Sequence, residues 1–274
     1  MARLLTLLLV LLTAPAAAAP RAELWDRWLA HDPAGTTRVD HEPWRGFLLT
    51  YLRPGEDGIN RVAYAEVTAA DHAALAAYLD SLARVEVDRL RRDEQMAFWI
   101  NLYNALTVRV VLEHYPVASI REIDISPGLF SNGPWGARLV TVAGEPLSLD
   151  DIEHRILRPI WRDPRVHYAV NCAALGCPNL QPEPFAAASL DAMLDRAAIA
   201  FVNHRRGVSI GADGVRVSSI YRWFQADFGG DEAGVLRHLM AYAAPSLALT
   251  LQRLDAIQGY GYDWSLNDAA SAGR

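Results

Sequence analysis

Residues 93–116, DEQMAFWINLYNALTVRVVLEHYP, constrain the fold more than any other stretch of the chain. The segment reads as one long helix that Pro116 must end, because proline has no N–H to give to the helix ladder. Its apolar residues fall on almost every side. A helix with no face to offer water belongs in the middle of a core. Asn101 and Asn104 stand three apart in it, with Glu94 about two turns before Asn101. A buried amide must satisfy both donors and acceptor. These asparagines therefore either fasten neighbouring loops to the helix or face a cleft and bind substrate.

The elements around that helix can be read in outline. Residues 42–52 suggest a short helix, and NRVAYAEV (60–67) alternates like a strand. Thr68, with Asp71 three residues on, is a capping arrangement that opens an Ala-rich helix. A Gly/Pro-punctuated loop (126–136) carries Trp135, which is placed to line a cleft, and a strand RLVTV follows. Ser148, with Asp151 at the capping-box position, starts a helix through SLDDIEHRILRP that Pro159 is expected to end. VHYAVN (166–171) reads as a strand, with Val166, Tyr168 and Val170 on one face and His167, Ala169 and Asn171 on the other. Ser189 begins another helix, Asp213-Gly214 turns a hairpin, and two more helices precede YDWSLN (262–267), a tail clasp docking through Tyr262 and Trp264.

The fold class expected is mixed α/β (α+β). It is a helix-rich single domain with a small, mainly antiparallel sheet whose strands gather in the second half. No repeat, low-complexity tract or linker divides the chain. The expected organisation is a leader at 1–18, an N-terminal helical segment at 19–60, one domain at 61–268 and a tail at 269–274.

The leader is MARLLTLLLVLLTAPAAAAP, a basic start, a short apolar core and small residues, which is the pattern of a secretory signal peptide cut after Ala18. The mature protein is then exported to a periplasmic or extracellular space with no membrane span, since no later segment offers the ~20 apolar residues needed. With 51% apolar residues a sizeable core is assured, and a net charge of −6 excludes a general nucleic-acid binder, which needs clustered cations.

Five blocks taken together resemble one family: 94–116, LSLDDIEHRILR (147–158), DPRVHYAVNCAALGCPNL (163–180), SSIYRWFQADF (218–228) and YDWSLN (262–267). The chain is similar to the family known as domain of unknown function 547, from about Val62 to Asn267. The family's shared pattern includes both cysteines, the triplet matched by Ile152, Glu153 and His154, and the histidine matched by His167. The resemblance implies a papain-like or transglutaminase-like fold and no assigned activity.

Cys172 and Cys177 are the only cysteines in 274 residues, and three readings of them stand open. In the first, Cys172 is a nucleophile for thiol-dependent hydrolysis or acyl transfer on a peptide-like or thiol-containing substrate. It would be activated by the N–H groups of a following helical turn, with His154 as base, Glu153 or Asp163 as orienting carboxylate and His167 as reserve base. Asn101, Asn104, Asn171 and Trp135 would bind that peptide or small molecule. In the second, the cysteines form a disulfide that Gly176 makes room for, in a non-enzymatic envelope binding or scaffold protein. The third, zinc held by both cysteines with His154 and His167, has irregular spacing; no metal and no cofactor is assigned.

Overall fold

A computed structural model describes residues 20–128 and 133–271. The expected leader at 1–18 lies outside them, as do residues 272–274 of the expected tail. The N-terminal segment carries a 3-10 turn, Asp26–Leu29, and one helix, α1 (Glu42–Tyr51). A two-stranded antiparallel sheet, β1 (Leu52–Pro54) and β2 (Asn60–Val62), follows directly. The alternation in 60–67 thus yields only three strand residues before a 3-10 turn at Tyr64–Glu66. Helix α2 (Ala69–Ala83) starts where the capping pattern places it: Thr68 Oγ1 accepts the N–H of Asp71 at 3.1 Å.

Helix α3 (Arg92–His114) is the centre of the larger core. All its residues from Glu94 to Val108 are buried, including Phe98, Trp99, Tyr103 and Leu106. Trp28 stacks edge-on against Trp99, with ring centroids 4.9 Å apart, so the N-terminal segment closes one side. A second hairpin, β3 (Val140–Val142) with β4 (Glu145–Leu147), leads into the Ser148 cap, where Ser148 and Asp151 exchange bonds as the capping-box pattern requires.

The helix that follows has a wide π-type turn, Asp151–Leu157, and runs on as α4 (Arg158–Trp161). Pro159 therefore sits in the first turn of α4 rather than beyond the end of the helix, a position where the missing N–H costs least. Residues 166–169 are not a strand. They form α5 (Val166–Ala169), a single buried helical turn. The face assignments for His167 and Asn171 drawn from strand alternation fall with it.

Helix α6 (Leu190–Val202) leads to the hairpin β5 (Val208–Gly211) and β6 (Gly214–Ser218), then α7 (Ile220–Trp223), α8 (Glu232–Tyr242) and α9 (Pro245–Leu251). Strand β7 (Gly259–Gly261) joins β6 in parallel. The result is helix-rich α+β with three small sheets, one of them mixed and one in the first half of the chain. A second apolar cluster, built on Tyr168, Phe201, Tyr221 and Phe228, fills the space between α6, α8 and the last sheet. Among the described residues no helix is long and apolar enough to cross a membrane.

Candidate functional site

Asn104 holds the entrance to the cysteine loop. Its Nδ2 donates to Ala169 O at 2.9 Å, and its Oδ1 accepts the N–H of Asn171 at 2.8 Å, so one amide closes the gap left where α5 ends. Asn171 repeats the device inside the loop: Nδ2 donates to Pro178 O and Oδ1 accepts from Ala173 N. Asn101 does the same further along, exchanging two bonds with the backbone of Phe185 at 2.8 and 2.9 Å. All three amides bond main chain, which is the loop-fastening role, and Asn171 Oδ1 also accepts from Asn267 Nδ2 at 3.4 Å.

The loop they anchor brings Cys172 and Cys177 to disulfide distance, with Cα atoms 6.3 Å apart, inside the range that a bridge spans. The C-terminal strap lies across it. Leu175 N donates to Ser265 O, Gly176 N to Asp263 O and Asn267 N to Ala173 O. Gly176 is required by this approach, since a Cβ there would come within 2.7 Å of Asp263 N. Tyr262 brings a buried hydroxyl onto both sulfurs, 3.0 Å from Cys172 Sγ and donating to Cys177 Sγ at 3.1 Å. Burial pushes that phenol's pKa well up, so the group stays a neutral donor. Trp264 packs against Tyr262 at 4.6 Å and against Trp135 at 5.7 Å, so Trp135 braces the strap.

No helical turn follows Cys172. The N–H groups of Cys172, Ala173, Leu175, Gly176 and Cys177 all have partners, Cys172 N giving its proton to Cys177 Sγ at 3.0 Å. The loop thus lacks the fan of free donors expected for an oxyanion hole. Among the described residues no imidazole lies within hydrogen-bond reach of either sulfur; the sulfurs' side-chain partner is Tyr262.

The histidines belong to a separate, buried cluster of charges. His167 Nε2 is 2.7 Å from Asp227 Oδ2 and its Nδ1 is 3.6 Å from Glu153 Oε1, while its ring stacks on Phe224 at 4.3 Å. Arg158 Nε donates to the same Asp227 oxygen at 2.6 Å and its Nη1 to His154 Nδ1 at 3.0 Å. Burial alone would lower the pKa of His167, but its two carboxylate partners outweigh this and raise it. Burial would likewise raise Glu153 and Asp227. Neighbouring His154, His167 and Arg158 hold Glu153 at about 2, and His167 with Arg158 hold Asp227 at about 2. His154 is carried the other way, down to about 4 by burial, and is neutral at pH 7. Below pH 6.5 the cluster therefore sets the carboxylates of Glu153 and Asp227 against the cations of His167 and Arg158, with Asp150 at its edge, 3.6 Å from His154 Nε2.

His154 is thus engaged with Arg158 rather than with a sulfur, and Asp163 pairs with Arg165 at 2.7 Å instead of orienting it. Glu153 lies 3.9 Å from His154 Nδ1 as well as near His167, because the π-type turn changes the spacing that separates adjacent residues on an α-helix. Sequence reasoning missed Arg158, Asp227 and the role of Tyr262. The spacing of Arg158 four residues after His154 was the available signal for the first; the other two meet their partners through pairings 60 and 90 residues apart. Among the described residues no group of three or more His, Cys, Asp or Glu side chains is arranged to hold a metal ion.

Fold and site together define a helix-rich α+β protein built around one amide-studded central helix, with a clamped cysteine loop beside a buried, charge-balanced cluster. Residues 87–202 match the family model described as protein of unknown function, DUF547, so that segment of the chain is similar to that family. The matched segment includes α3, both cysteines, Glu153, His154, Arg158 and His167. Neither the curated proteins nor the solved structures hold a match to the chain.

Proposed function

We propose that this is an exported, non-enzymatic binding protein of the cell envelope in which a Cys172–Cys177 disulfide staples the loop beneath the C-terminal strap. The observation that carries the reading is the state of the sulfurs: set at disulfide distance, covered by the Tyr262 hydroxyl and without an imidazole partner. Export rests on the leader-like first residues, and an oxidising compartment is where such a bridge persists. A closed loop of about six residues contributes roughly 2 kcal/mol by the chain-entropy argument. The test is the intact mass of protein recovered from the exported fraction, alkylated under denaturing conditions with and without reductant. The unreduced sample should remain unalkylated and begin at Ala19. Two alkyl groups on the unreduced protein would defeat the reading.

A second reading is favoured by the half-buried position of Cys172 and its contact with Tyr262, which would let a reduced thiol meet a polar hydroxyl next to the Glu153 field. That reading is a thiol-dependent hydrolase or acyltransferase, in keeping with the papain-like resemblance. Iodoacetamide labelling of mildly reduced protein at pH 6 and pH 8, with Cys172→Ala as blank, tests it. A rate no greater than that of an ordinary exposed thiol removes it.

A further inference from the structure

A groove of about 390 Å³ opens beside the cysteine loop, between Leu175-Gly176, the strap at Tyr262-Asp263, and the β5–β6 hairpin. That volume is in the range of small-molecule sites. The net charge of the whole chain is −6, yet the groove is lined by four guanidiniums, Arg61, Arg205, Arg206 and Arg216, against the carboxylates of Asp57 and Asp263. Its formal balance is +2 with His204 neutral. Burial lowers the pKa of His204, whose Nε2 faces Asp57 O at 2.8 Å and whose Nδ1 accepts from Arg206 N, so the ring is held as a neutral Nε2–H tautomer.

The cations differ in how far they are neutralised. Arg61 is spoken for by a bidentate pair with Asp57, at 2.8 and 2.7 Å. Among the described residues Arg205, Arg206 and Arg216 make no ion pair. Arg206 is the most informative of these. Its guanidinium is drawn in from solvent and held by neutral acceptors, Leu175 O at 2.9 Å and Asn179 Oδ1 at 2.5 Å. Its buried Nε has no partner. Desolvation lowers the pKa of this group to about 10, the signature of a charge lacking a counter-ion. Arg216 is exposed, but its guanidinium lies against Gly259, where a Cβ would come within 2.6 Å of Nη1. A fixed, partly buried fork flanked by two free cations is an arrangement suited to an oxyanion.

We propose that this groove binds a small dianionic ligand, a phosphate or dicarboxylate group held between Arg206, Arg205 and Arg216. The inference rests on the binding-protein reading and supplies its ligand class. The ligand would also touch the cysteine loop, because Arg206 grips the carbonyl of Leu175 and Tyr262 lines the same space.

The experiment is calorimetric titration of the full exported chain with sodium phosphate and with succinate, with sodium chloride at matched ionic strength as control. The expected result is saturable binding with a Kd of about 1 mM or tighter. Phosphate alone, succinate alone or both saturating assigns the phosphoryl, the carboxylate or the shared oxyanion chemistry. Arg205→Ala and Arg216→Ala change exposed side chains and should each weaken binding about two- to fivefold while leaving the unliganded Tm unchanged. Arg206→Gln should abolish binding. An equal response to chloride, no saturable heat from either anion, or an unaltered Kd in the Arg205→Ala/Arg216→Ala double variant overturns the proposal. Intact mass on the same sample separates the two claims: free thiols with saturable binding defeat the staple but not the groove, and a bridged sample without binding does the reverse.

Discussion

His167→Gln tests the buried charge cluster most directly. The wild-type set places Glu153 and Asp227 against His167 and Arg158, all close to or in contact with one another and mostly removed from water. Glutamine keeps much of the ring's volume but leaves two carboxylates facing one cation. Breaking a buried ion pair by removing one partner costs about 3–5 kcal/mol, a large share of a typical domain's stability. The pH dependence supplies a second, sharper readout. Glu153 has its folded pKa depressed from 4.5 to about 2. Its contribution, on the order of 3 kcal/mol, is present above the unfolded pKa and is lost as pH falls towards 2. His167 has its folded pKa raised, so its contribution is present below 6.5 and is lost as pH rises through the folded value. In the variant the unpaired carboxylate relieves itself by taking up a proton at higher pH. The gap between wild type and His167→Gln should therefore be widest near pH 6 and narrow as pH drops towards 3. Urea denaturation across that range measures it. A variant within about 1 kcal/mol of wild type at pH 6, or a gap that does not shrink on acidification, would refute the charge-balance account.

Asn104→Ala should cost about 2–4 kcal/mol in urea denaturation, because Ala169 O and Asn171 N are then left buried without partners. Hydrogen exchange should rise first at Asn171 and along the cysteine loop. Gly176→Ala should loosen the strap, since the added Cβ would meet the Asp263 backbone at 2.7 and 2.9 Å. The check is limited proteolysis, with faster cleavage expected between residues 258 and 268, and a strap cut no faster than in wild type would count against the close approach.

Those parts of the fold that depend on neighbours in sequence were legible. The all-round apolar pattern of α3 marks it as central, and the pairing of Thr68 with Asp71 and of Ser148 with Asp151 marks two helix starts that the structure keeps. For Asn101 and Asn104 the pattern leaves loop-fastening and substrate-binding both open, because it shows that the amides are buried but not which groups meet them; the structure gives both of them main-chain partners. Residues 166–169 were read wrongly for a physical reason. Four residues buried on every side show no period, so Val-His-Tyr-Ala is equally compatible with a strand or with the helical turn observed. The partners of the sulfurs and of His167 were illegible because they come from far along the chain: Tyr262 and Asp227 reach the site only once the last sheet and the strap have docked.

That docking explains why the polar cluster lies where it does. Consecutive residues of a helical turn point about 100° apart, and α5 uses this to face two cores at once: Val166 and Ala169 join the apolar cluster around α3, Tyr168 joins the one beneath the last sheet, and His167 falls on the seam between them. Apolar contact is non-directional and would tolerate sliding of one core over the other. A histidine bonded at 2.7 Å to Asp227, next to Phe228 of the second core, and adjoining Glu153, next to Ile152 of the first, does not tolerate it. The strap crosses the same seam: β7 pairs with β6 at one end, Tyr262 covers the sulfurs in the middle, and at the other end Asn267 O accepts from Val62 N while its side chain accepts from the Tyr64 hydroxyl. Replacement of Cys177 by alanine, loss of a charge at His167 and loosening of the strap at Gly176 should consequently act on one shared boundary, and their effects on stability should fall short of additive in double variants. Additivity within about 0.5 kcal/mol for His167→Gln combined with Gly176→Ala would mean that the two cores are joined by independent contacts instead.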